Sequence, residues 1–259
     1  MIKSININNS EIEYLSFWNW KEPFIILPWL SIKSVLLNEE AITEQFSKFS
    51  ENFTVYLIDR IKEVPDNYSI ENMAEDTYTV IKKLWLTNCN IYWVSQGWMI
   101  AQYIAINHPK IINTLTLWST TYKTNENAKK IFSERIELAK QREEKKLIKS
   151  FIKNLYCKET IKTYWAAIRD SLSNITEKEY NKFIKLATPL LNFDIEKDVK
   201  WIKCKKFLLW SSADKIFWND INALAEKLWC NYFLYDNYGH AVYDEAPDFF
   251  DKIYNFIIN

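Results

Sequence analysis

Apolar runs and helical patterns alternate over the first 121 residues. A short continuous apolar run is typical of a buried strand, and apolar residues at every third or fourth position are typical of an amphipathic helix. Five runs predict strands: IEYLSF, PFIILP, FTVYLID, CNIYWV and INTLTLWS. Helices are predicted over 69–84, with Ser69 as the N-cap, and over 97–108, directly before Pro109. Strands interleaved with helices indicate an α/β fold with a mostly parallel sheet covered on both faces.

The character of the chain changes between about residues 122 and 196. This segment is rich in lysine and glutamate, has helical periodicity and carries no strand pattern, so it predicts a helical insertion. After it, KKFLLWSSAD and NYFLYD predict two more strands, and DINALAEKLW and APDFFDKIYNFI predict two more helices. A chain of 259 residues can bury a large single core. We therefore expect one compact unit, with a core of residues 1–121 and 197–259 and a helical lid over 122–196.

Composition argues against several classes of function. Lysine plus arginine and aspartate plus glutamate number 33 each, so bulk charge indicates neither a nucleic-acid nor a membrane partner. No signal-peptide pattern or long apolar run is seen, and a cytoplasmic location is therefore expected. The four cysteines have no metal-ligand spacing and the chain has only two histidines, so no metal site is predicted.

The chain is poor in glycine and rich in tryptophan. It has 2 glycines and 12 tryptophans, whereas glycine usually makes up about 7% of a protein. Turns with positive φ favour glycine, because only glycine lacks the Cβ that clashes there. UGA is read as tryptophan in some genetic codes and as glycine in others. We therefore hypothesise that tryptophans in this sequence are glycines translated with the wrong code. The alternative is that all twelve are genuine.

The positions of the tryptophans favour this hypothesis. Trp85 and Trp229 end helical patterns, where a glycine is expected. Trp18 and Trp20 lie in a predicted turn between two strands, and Trp29 follows a strand and a proline. Trp165, in a helical pattern, fits either identity.

One serine has the setting of a catalytic nucleophile. In IYWVSQGWMIAQ, Ser95 lies between a predicted strand and a predicted helix, with Gly97 two residues later. With Trp93 and Trp98 replaced by glycine, the stretch becomes a G-x-S-x-G nucleophile elbow, a tight turn that requires small neighbours. The free N–H groups and positive dipole of the following helix favour a developing oxyanion. The alternative is a serine that only caps this helix.

Together with HPKIINTLTLWST, this stretch resembles the α/β-hydrolase superfamily. It resembles the branch that contains small esterases, enol-lactone hydrolases, cofactor-free haloperoxidases and proline iminopeptidases. The resemblance covers nearly the whole chain and is weakest in the helical insertion. It implies an eight-stranded, mostly parallel sheet with helices on both faces, a helical lid and a Ser-His-Asp triad.

Two histidines leave little choice for the base that a serine nucleophile needs. His108 lies at the far end of the helix after Ser95, so we interpret it as structural. His240 follows the last strand, beside Gly239, where similar hydrolases keep their catalytic histidine. Asp214 follows a strand and fits the chain order Ser, Asp, His, so it is the predicted acid. The fallback carboxylates are Asp220 and Asp244, and then Asp236.

The resemblance also predicts the oxyanion hole. Similar enzymes use the backbone N–H of the residue after the nucleophile, here Gln96, and one from the loop after the third strand, here Leu30. That loop has Pro28-Trp29 where the superfamily usually has His-Gly, which makes this assignment less secure. The loop near Asp59 also departs from the usual glycine-rich turn, so it is expected to shape the pocket differently.

The predicted function is hydrolysis of a small carboxylic ester or related acyl substrate through an acyl-enzyme, with no cofactor. An acyltransferase using the same triad is one alternative. A non-catalytic binding protein is the other, if Trp93 and Trp98 are genuine and crowd the elbow. Four aromatic residues in or beside the insertion are candidates for the acyl pocket: Tyr122, Phe132, Tyr156 and Tyr164. The acyl group, the leaving group and the oligomeric state stay open.

Overall fold

An eight-stranded sheet forms the centre of the molecule. The computed structural model describes residues 2–7, 10–18, 20, 22–119, 121–217 and 221–259. The strands are β1 (Ile2–Ile7), β2 (Ser10–Phe17), β3 (Glu22–Leu27), β4 (Phe53–Ile58), β5 (Cys89–Val94), β6 (Ile112–Trp118), β7 (Lys205–Ser211) and β8 (Asn231–Tyr235). Their order is β1-β2-β4-β3-β5-β6-β7-β8, and only the β1–β2 and β2–β4 pairs are antiparallel. The predicted fold class is confirmed. The first strand, β1, was not among the predicted runs.

Helices cover both faces of this sheet. They are α1 (Glu39–Gln45), α2 (Ile70–Lys83), α3 (Gln96–Asn107), α4 (Glu126–Lys140), α5 (Glu144–Leu155), α6 (Lys158–Leu172), α7 (Glu177–Ala187), α8 (Ile221–Leu228) and α9 (Phe249–Ile258). The predicted N-cap of α2 is confirmed: Ser69 Oγ accepts a hydrogen bond from the Asn72 N–H at 3.0 Å, and Asn72 Oδ1 accepts one from the Ser69 N–H. Within the described ranges, no helix is long and apolar enough to cross a membrane.

The core lies on both sides of the central strands. All six residues of β5 are buried, as expected for a parallel strand covered on two faces. One apolar cluster packs α2, α3 and α8 on the first face, through residues such as Val80, Ile104 and Leu224. The second cluster packs α1 and α9 on the other face, through residues such as Ile42 and Ile253. This packing fixes the carboxyl ends of the parallel strands, which carry the candidate site.

The segment between β6 and β7 contains four helices, α4 to α7. Its two ends meet at a short neck, where the Thr124 N–H donates to the Phe193 carbonyl and the Ile195 N–H donates to the Tyr122 carbonyl, both at 2.9 Å. Helix α6 has no buried side chain, so it lies at the surface of this segment. The division into a core and a lid at residues 122 and 196 stays a prediction.

Several tryptophans occupy backbone conformations that favour glycine. Trp18, Trp85 and Trp229 have φ values of 63°, 56° and 51°. Trp85 and Trp229 each follow the end of a helix, and the indoles are 90% and 92% exposed. Bulky residues are uncommon at positive φ, and glycine is the usual residue at such a helix end. Arg142 ends α4 in the same way with φ 59°, so a side chain can be accommodated there. The φ value of Trp29 is not positive.

Candidate active site

Three parallel strands end at the same edge of the sheet and carry the predicted triad residues. Ser95 directly follows β5, Asp214 follows β7, and His240 lies in the loop after β8. β6 separates β5 from β7, and β7 pairs with β8. In open α/β sheets, ligands bind in the crevice outside the carboxyl ends of the strands.

Ser95 has a strained backbone. Its φ of 54° and ψ of −113° lie outside the regions that a serine ordinarily adopts. The turn is held by hydrogen bonds from the Ser95 N–H to the Trp118 carbonyl at 3.4 Å and from the Trp98 N–H to the Ser95 carbonyl at 3.1 Å. The Ser95 side chain makes no capping hydrogen bond to α3, so the helix-cap interpretation has no support in this geometry. Strain of this kind concentrates at functional sites.

Gly97 allows the end of β3 to approach the start of α3. A Cβ at this position would overlap the carbonyl oxygen of Leu27 and come within 2.9 Å of the carbonyl oxygen of Pro28. Only glycine therefore fits without a shift of the backbone. The loop that carries Leu30, the predicted second oxyanion donor, starts at this contact. Gln96 is the first residue of α3, so its N–H belongs to the orphan donors at a helix N-terminus.

Asp214 and His240 form a buried pair. His240 Nδ1 lies 2.8 Å from Asp214 Oδ2, and both side chains are almost fully enclosed. Asp214 Oδ1 accepts hydrogen bonds from the N–H groups of Ile216 and Phe217 at 2.7 and 3.2 Å. Burial by itself raises the pKa of Asp214, but His240 and these hydrogen bonds outweigh it, and the net pKa lies below the ordinary value of 3.8. The carboxylate is therefore ionised at neutral pH and orients the imidazole.

The second imidazole nitrogen of His240 is available for chemistry. Nε2 is buried and has no hydrogen-bond partner among the residues that the structure describes. Trp118 connects this histidine to the serine turn, because its indole N–H donates to the His240 carbonyl at 2.7 Å while its own carbonyl accepts from the Ser95 N–H. The ring of Phe217 lies 5.9 Å from the imidazole. The two ends of the candidate triad thus share a buried neighbour.

The histidine loop is tied to the end of α5. The Ala241 N–H donates to the Leu155 carbonyl at 2.8 Å, and a Cβ on Gly239 would overlap that same carbonyl oxygen. Glu245 accepts from the N–H groups of Gly239 and Cys157 at 2.6 and 2.8 Å. Sequence reasoning missed Glu245, because one partner, Cys157, is distant in the chain and the other, Gly239, lies in an irregular loop.

A buried arginine links Gln96 to the loop that carries Leu30, and sequence reasoning missed it as well. Arg60 Nη2 donates to the Pro28 carbonyl at 2.6 Å, and Arg60 Nε donates to Gln96 Oε1 at 3.4 Å. Gln96 Nε2 in turn donates to the Leu186 carbonyl of α7 at 2.7 Å. Burial lowers the pKa of Arg60 to about 10, so it is still a cation at neutral pH. An arginine directly after Asp59, at the end of a buried strand, was the only signal in the sequence.

The other candidate residues lie elsewhere. His108 pairs with Glu75 at 2.8 Å and stacks on Tyr78, which agrees with a structural role. Asp244 lies at the surface and accepts from the Tyr156 hydroxyl at 3.0 Å. Asp236 is exposed, and Asp220 lies outside the described residues.

The four predicted pocket aromatics are dispersed. Phe132 packs against Phe217, with ring centroids 6.2 Å apart, and so approaches the histidine. Tyr164 is 58% exposed on α6, which argues against a place in a pocket. Tyr156 bonds to a surface carboxylate as described above, and the ring of Tyr122 lies under the ammonium group of Lys227.

Two tryptophans flank the candidate nucleophile. The side chains of Trp93 and Trp98 are fully buried, with ring centroids 6.3 Å apart. Neither indole N–H has a hydrogen-bond partner within the described part of the chain. A buried N–H without an acceptor carries its full desolvation penalty, about 1–3 kcal/mol. Trp118 differs from them, since its indole N–H is satisfied by His240.

Solved structures of known proteins match this chain over its whole length. No protein-family model matches the sequence, and no curated protein matches it significantly. MGS-M2, an α/β hydrolase enzyme from a Medee basin deep-sea metagenome library, matches with a TM-score of 0.88 and 20% identity, covering 99% of this chain and 98% of its own. The enol-lactonase from Burkholderia xenovorans LB400 matches with a TM-score of 0.82 and 17% identity, over 99% and 100% of the two chains. An esterase from Exiguobacterium antarcticum matches with a TM-score of 0.80 and 18% identity, over 96% of each chain. Topology, elbow and these neighbours lead to one conclusion: the chain has the α/β-hydrolase fold.

Proposed function

We propose that the chain is a serine hydrolase that cleaves a small carboxylic ester or a related acyl substrate. The observation that carries this proposal is the buried Asp214–His240 pair, whose free Nε2 belongs to the same strand edge as the strained Ser95. The neighbours named as an esterase and as an enol-lactonase favour an ester-like substrate.

The proposed reaction is acyl transfer to water. Ser95 Oγ attacks the carbonyl carbon while His240 Nε2 takes the hydroxyl proton, and Asp214 stabilises the imidazolium that forms. The N–H groups of Gln96 and Leu30 stabilise the oxyanion of the tetrahedral intermediate. His240 then returns the proton to the leaving alcohol. In the second half of the reaction, water attacks the acyl-enzyme while His240 takes its proton, and His240 gives that proton to Ser95 Oγ as the acid is released. No metal or organic cofactor takes part in this scheme.

The segment 122–196 is the proposed lid. Two of its contacts reach the proposed machinery directly: Leu186 accepts from the Gln96 side chain, and Leu155 accepts from the Ala241 N–H beside His240. Ser95 and His240 are only 6% and 2% exposed. A lid in this place excludes water from the acyl-enzyme and forms much of the substrate pocket.

The glycine hypothesis is part of this proposal. It is supported at Trp18, Trp85 and Trp229 by positive φ, and at Trp93 and Trp98 by burial without a partner for the indole N–H. With glycine at 93 and 98, the elbow loses two large side chains beside the nucleophile. Reading the codons tests the idea directly: UGA at these five positions agrees with it, and UGG contradicts it. Peptide masses from the protein isolated from its own organism give an independent answer.

A non-catalytic binding protein is the competing function, and it is favoured by one observation. If the buried Trp93 and Trp98 are genuine, they fill the space around the elbow and give an aromatic site that binds without turnover. The codons and the activity of the chain therefore decide between the two functions together.

The experiment that tests the hydrolase is labelling with a fluorophosphonate, followed by mass spectrometry of the Ser95 peptide. The chain as written is compared with the variant that has glycine at positions 93 and 98. We expect an adduct on Ser95 in the glycine variant, lost in His240→Ala and retained in His108→Ala, which serves as the matched histidine control. A folded glycine variant whose Ser95 stays unlabelled would refute the hydrolase. Product analysis with a competing alcohol then separates hydrolysis from acyl transfer.

A further inference from the structure

A cavity of about 340 Å³ lies between α7 and the loops that follow β3 and β4. Gln96, one of the two proposed oxyanion donors, and Trp29, which precedes the other, form part of its wall on the core side. Lys182 and Leu186 of α7 form part of the opposite wall. Its volume suits a small ligand or one part of a larger one. Because it borders the proposed oxyanion hole, it is positioned to hold the part of a substrate next to the reacting carbonyl.

Three cations line this cavity without a carboxylate partner. They are Lys33, Arg60 and Lys182, and in the described part of the chain their hydrogen bonds go to neutral oxygens only. Lys33 Nζ donates to the Ser173 carbonyl, and Lys182 Nζ donates to the Arg60 carbonyl at 3.4 Å. Burial lowers the pKa of Lys182, although the Asp59 carboxylate partly opposes this effect. The charge on these side chains is therefore incompletely compensated.

Arg60 has an unused donor in this wall. Its side chain is 6% exposed, and Nη1 is buried with no hydrogen-bond partner among the described residues. The other nitrogens are held by Pro28 and Gln96, so the guanidinium cannot turn toward a different acceptor. A buried donor on a charged group is unfavourable without an acceptor, and a guanidinium suits a planar carboxylate in particular.

The carboxylates that line the cavity are already engaged. Asp59 accepts from the Ser34 hydroxyl at 2.6 Å and from the Arg60 N–H at 2.7 Å. Glu179 accepts from the N–H of Thr176 at 2.7 Å in the capping box of α7. The remaining lysines of the lining are paired, Lys62 with Glu11 and Glu13 and Lys178 with Glu63. Asp59 and Glu179 bond to neutral donors and so keep their charge, but three cations without a carboxylate partner among the described residues outnumber these two carboxylates. The cavity therefore keeps a net positive charge.

We propose that this cavity binds a negatively charged group of the substrate, so that the acyl chain cleaved at Ser95 carries a second carboxylate. The inference rests on the proposed function and narrows it from small esters in general to half-esters of dicarboxylic acids. Lys182 and Lys33 attract the carboxylate, and the fixed positive charge of Arg60 in the wall adds to this attraction. A partly enclosed cavity screens charges less than open water does, which strengthens these interactions.

A binding experiment tests the inference independently of catalysis. Isothermal titration calorimetry with glutarate is compared with its uncharged diamide, glutaramide, on the full chain. We expect glutarate to bind and glutaramide to bind at least about tenfold more weakly. Lys182→Met is expected to weaken glutarate binding about tenfold, the size of one charge-assisted hydrogen bond. Lys185→Met is the matched control: it lies on the same helix, does not line the cavity and is paired with Asp66 at 2.8 Å, so it should leave glutarate binding unchanged.

Two further results complete this test. Lys182→Arg keeps the charge and should retain most of the glutarate affinity, which separates loss of charge from misfolding. Equal binding of glutarate and glutaramide, or equal affinity in the wild-type chain and Lys182→Met, overturns the inference whether or not the chain hydrolyses esters.

A kinetic comparison separates this inference from the proposed function. The substrates are the 4-nitrophenyl ester of glutarate and the same ester with its free carboxylate capped by a methyl group. We expect kcat/KM to be higher for the charged ester, and the difference to shrink in Lys182→Met and at high ionic strength. Hydrolysis of both esters at equal rates overturns the anion site and leaves the hydrolase standing. Hydrolysis of neither ester, with intact glutarate binding, counts against the hydrolase and supports the anion site.

Discussion

His240 and Asp214 are joined by a direct side-chain hydrogen bond of 2.8 Å, whereas Ser95 owes its conformation to the shape of the backbone around it. Both carboxylate oxygens of Asp214 have hydrogen-bond partners: Oδ1 accepts from two backbone N–H groups, and Oδ2 pairs with His240. The serine turn has two backbone hydrogen bonds and a close approach at Gly97, and the indole N–H groups of its two tryptophans have no partner among the described residues. The first region should therefore be sensitive to the chemistry of single atoms, and the second to the volume of its neighbours.

Replacing Asp214 by asparagine is expected to have the largest effect. Asparagine keeps the shape but cannot stabilise the imidazolium or fix its tautomer, so kcat/KM on an ester should fall by about 10⁴-fold. Initial rates with a 4-nitrophenyl ester measure the loss in kcat/KM. Asp236→Asn is the control, because Asp236 is an exposed carboxylate directly after β8. A loss below about tenfold would assign the acid role to a different residue.

Asp214→Asn also tests how the free energy of unfolding depends on pH. The pKa of Asp214 is lowered in the folded state, so its contribution to stability is present above the ordinary value of 3.8 and is lost as the pH falls through the folded value. Between neutral pH and about pH 3, the wild-type free energy of unfolding should therefore fall more steeply than that of Asp214→Asn. Denaturant titrations at several pH values measure both slopes, and parallel slopes would contradict the depressed pKa.

Gly97→Ala tests the volume dependence of the serine turn. The new Cβ meets the carbonyl oxygen of Leu27, so backbone must move, and we expect a loss of about 3 kcal/mol in the free energy of unfolding. Gly239→Ala is the counterpart in the histidine loop, where the Cβ meets the Leu155 carbonyl at the end of α5. If the serine turn depends on shape more strongly, Gly97→Ala should also abolish fluorophosphonate labelling in the protein that remains folded.

Arg60→Lys tests whether the positive charge of residue 60 or the geometry of its hydrogen bonds supports the proposed oxyanion hole. Lysine keeps the positive charge but cannot bond to the Pro28 carbonyl and the Gln96 side chain at once. We expect kcat to fall by about 10- to 100-fold while the far-UV circular dichroism spectrum is unchanged. An unaltered kcat would mean that the loop carrying Leu30 is held by other contacts.

The smallest expected effects come from the exposed tryptophans at helix ends. Trp85→Gly and Trp229→Gly should each raise the free energy of unfolding by about 1 kcal/mol, because glycine adopts positive φ without a Cβ clash and almost no indole surface is buried. Arg142→Gly is the matched control: the backbone gain is similar, but the ion pair with Glu177 is lost, so little net change is expected. Chemical denaturation measures all three.

Local patterns in the sequence predicted most of the strands and the start of one helix. The apolar runs predicted seven of the strands, because the hydrophobic pattern of a strand is expressed by neighbouring residues. Ser69 predicted the start of α2, because a helix cap also depends on a few adjacent residues. The strand β1 was missed, since four of its six residues are exposed and its pattern is therefore weakly apolar. The chain order of Ser95, Asp214 and His240 was also readable, but only through a resemblance to similar proteins.

The roles of Arg60 and Glu245 were not readable in the same way. Arg60 acts through Pro28 and Gln96, 32 and 36 residues away in the chain, and Glu245 holds an N–H from the end of α5. The position of Arg60 directly after Asp59 marks the end of a strand but not these partners, because hydrogen bonds between distant segments exist only after the sheet has brought them together.

The sequence by itself determined the alternation of strands and helices, the position of the serine turn and the unusual shortage of glycine beside many tryptophans. These features depend on side-chain size, periodicity and local backbone preference, which neighbouring residues express. Only the tertiary structure decided that Asp214 meets His240 and that three cations, with no carboxylate partner in the described part of the chain, line one cavity. Those properties depend on distance and burial, and residues far apart in the chain acquire both only when the core is packed.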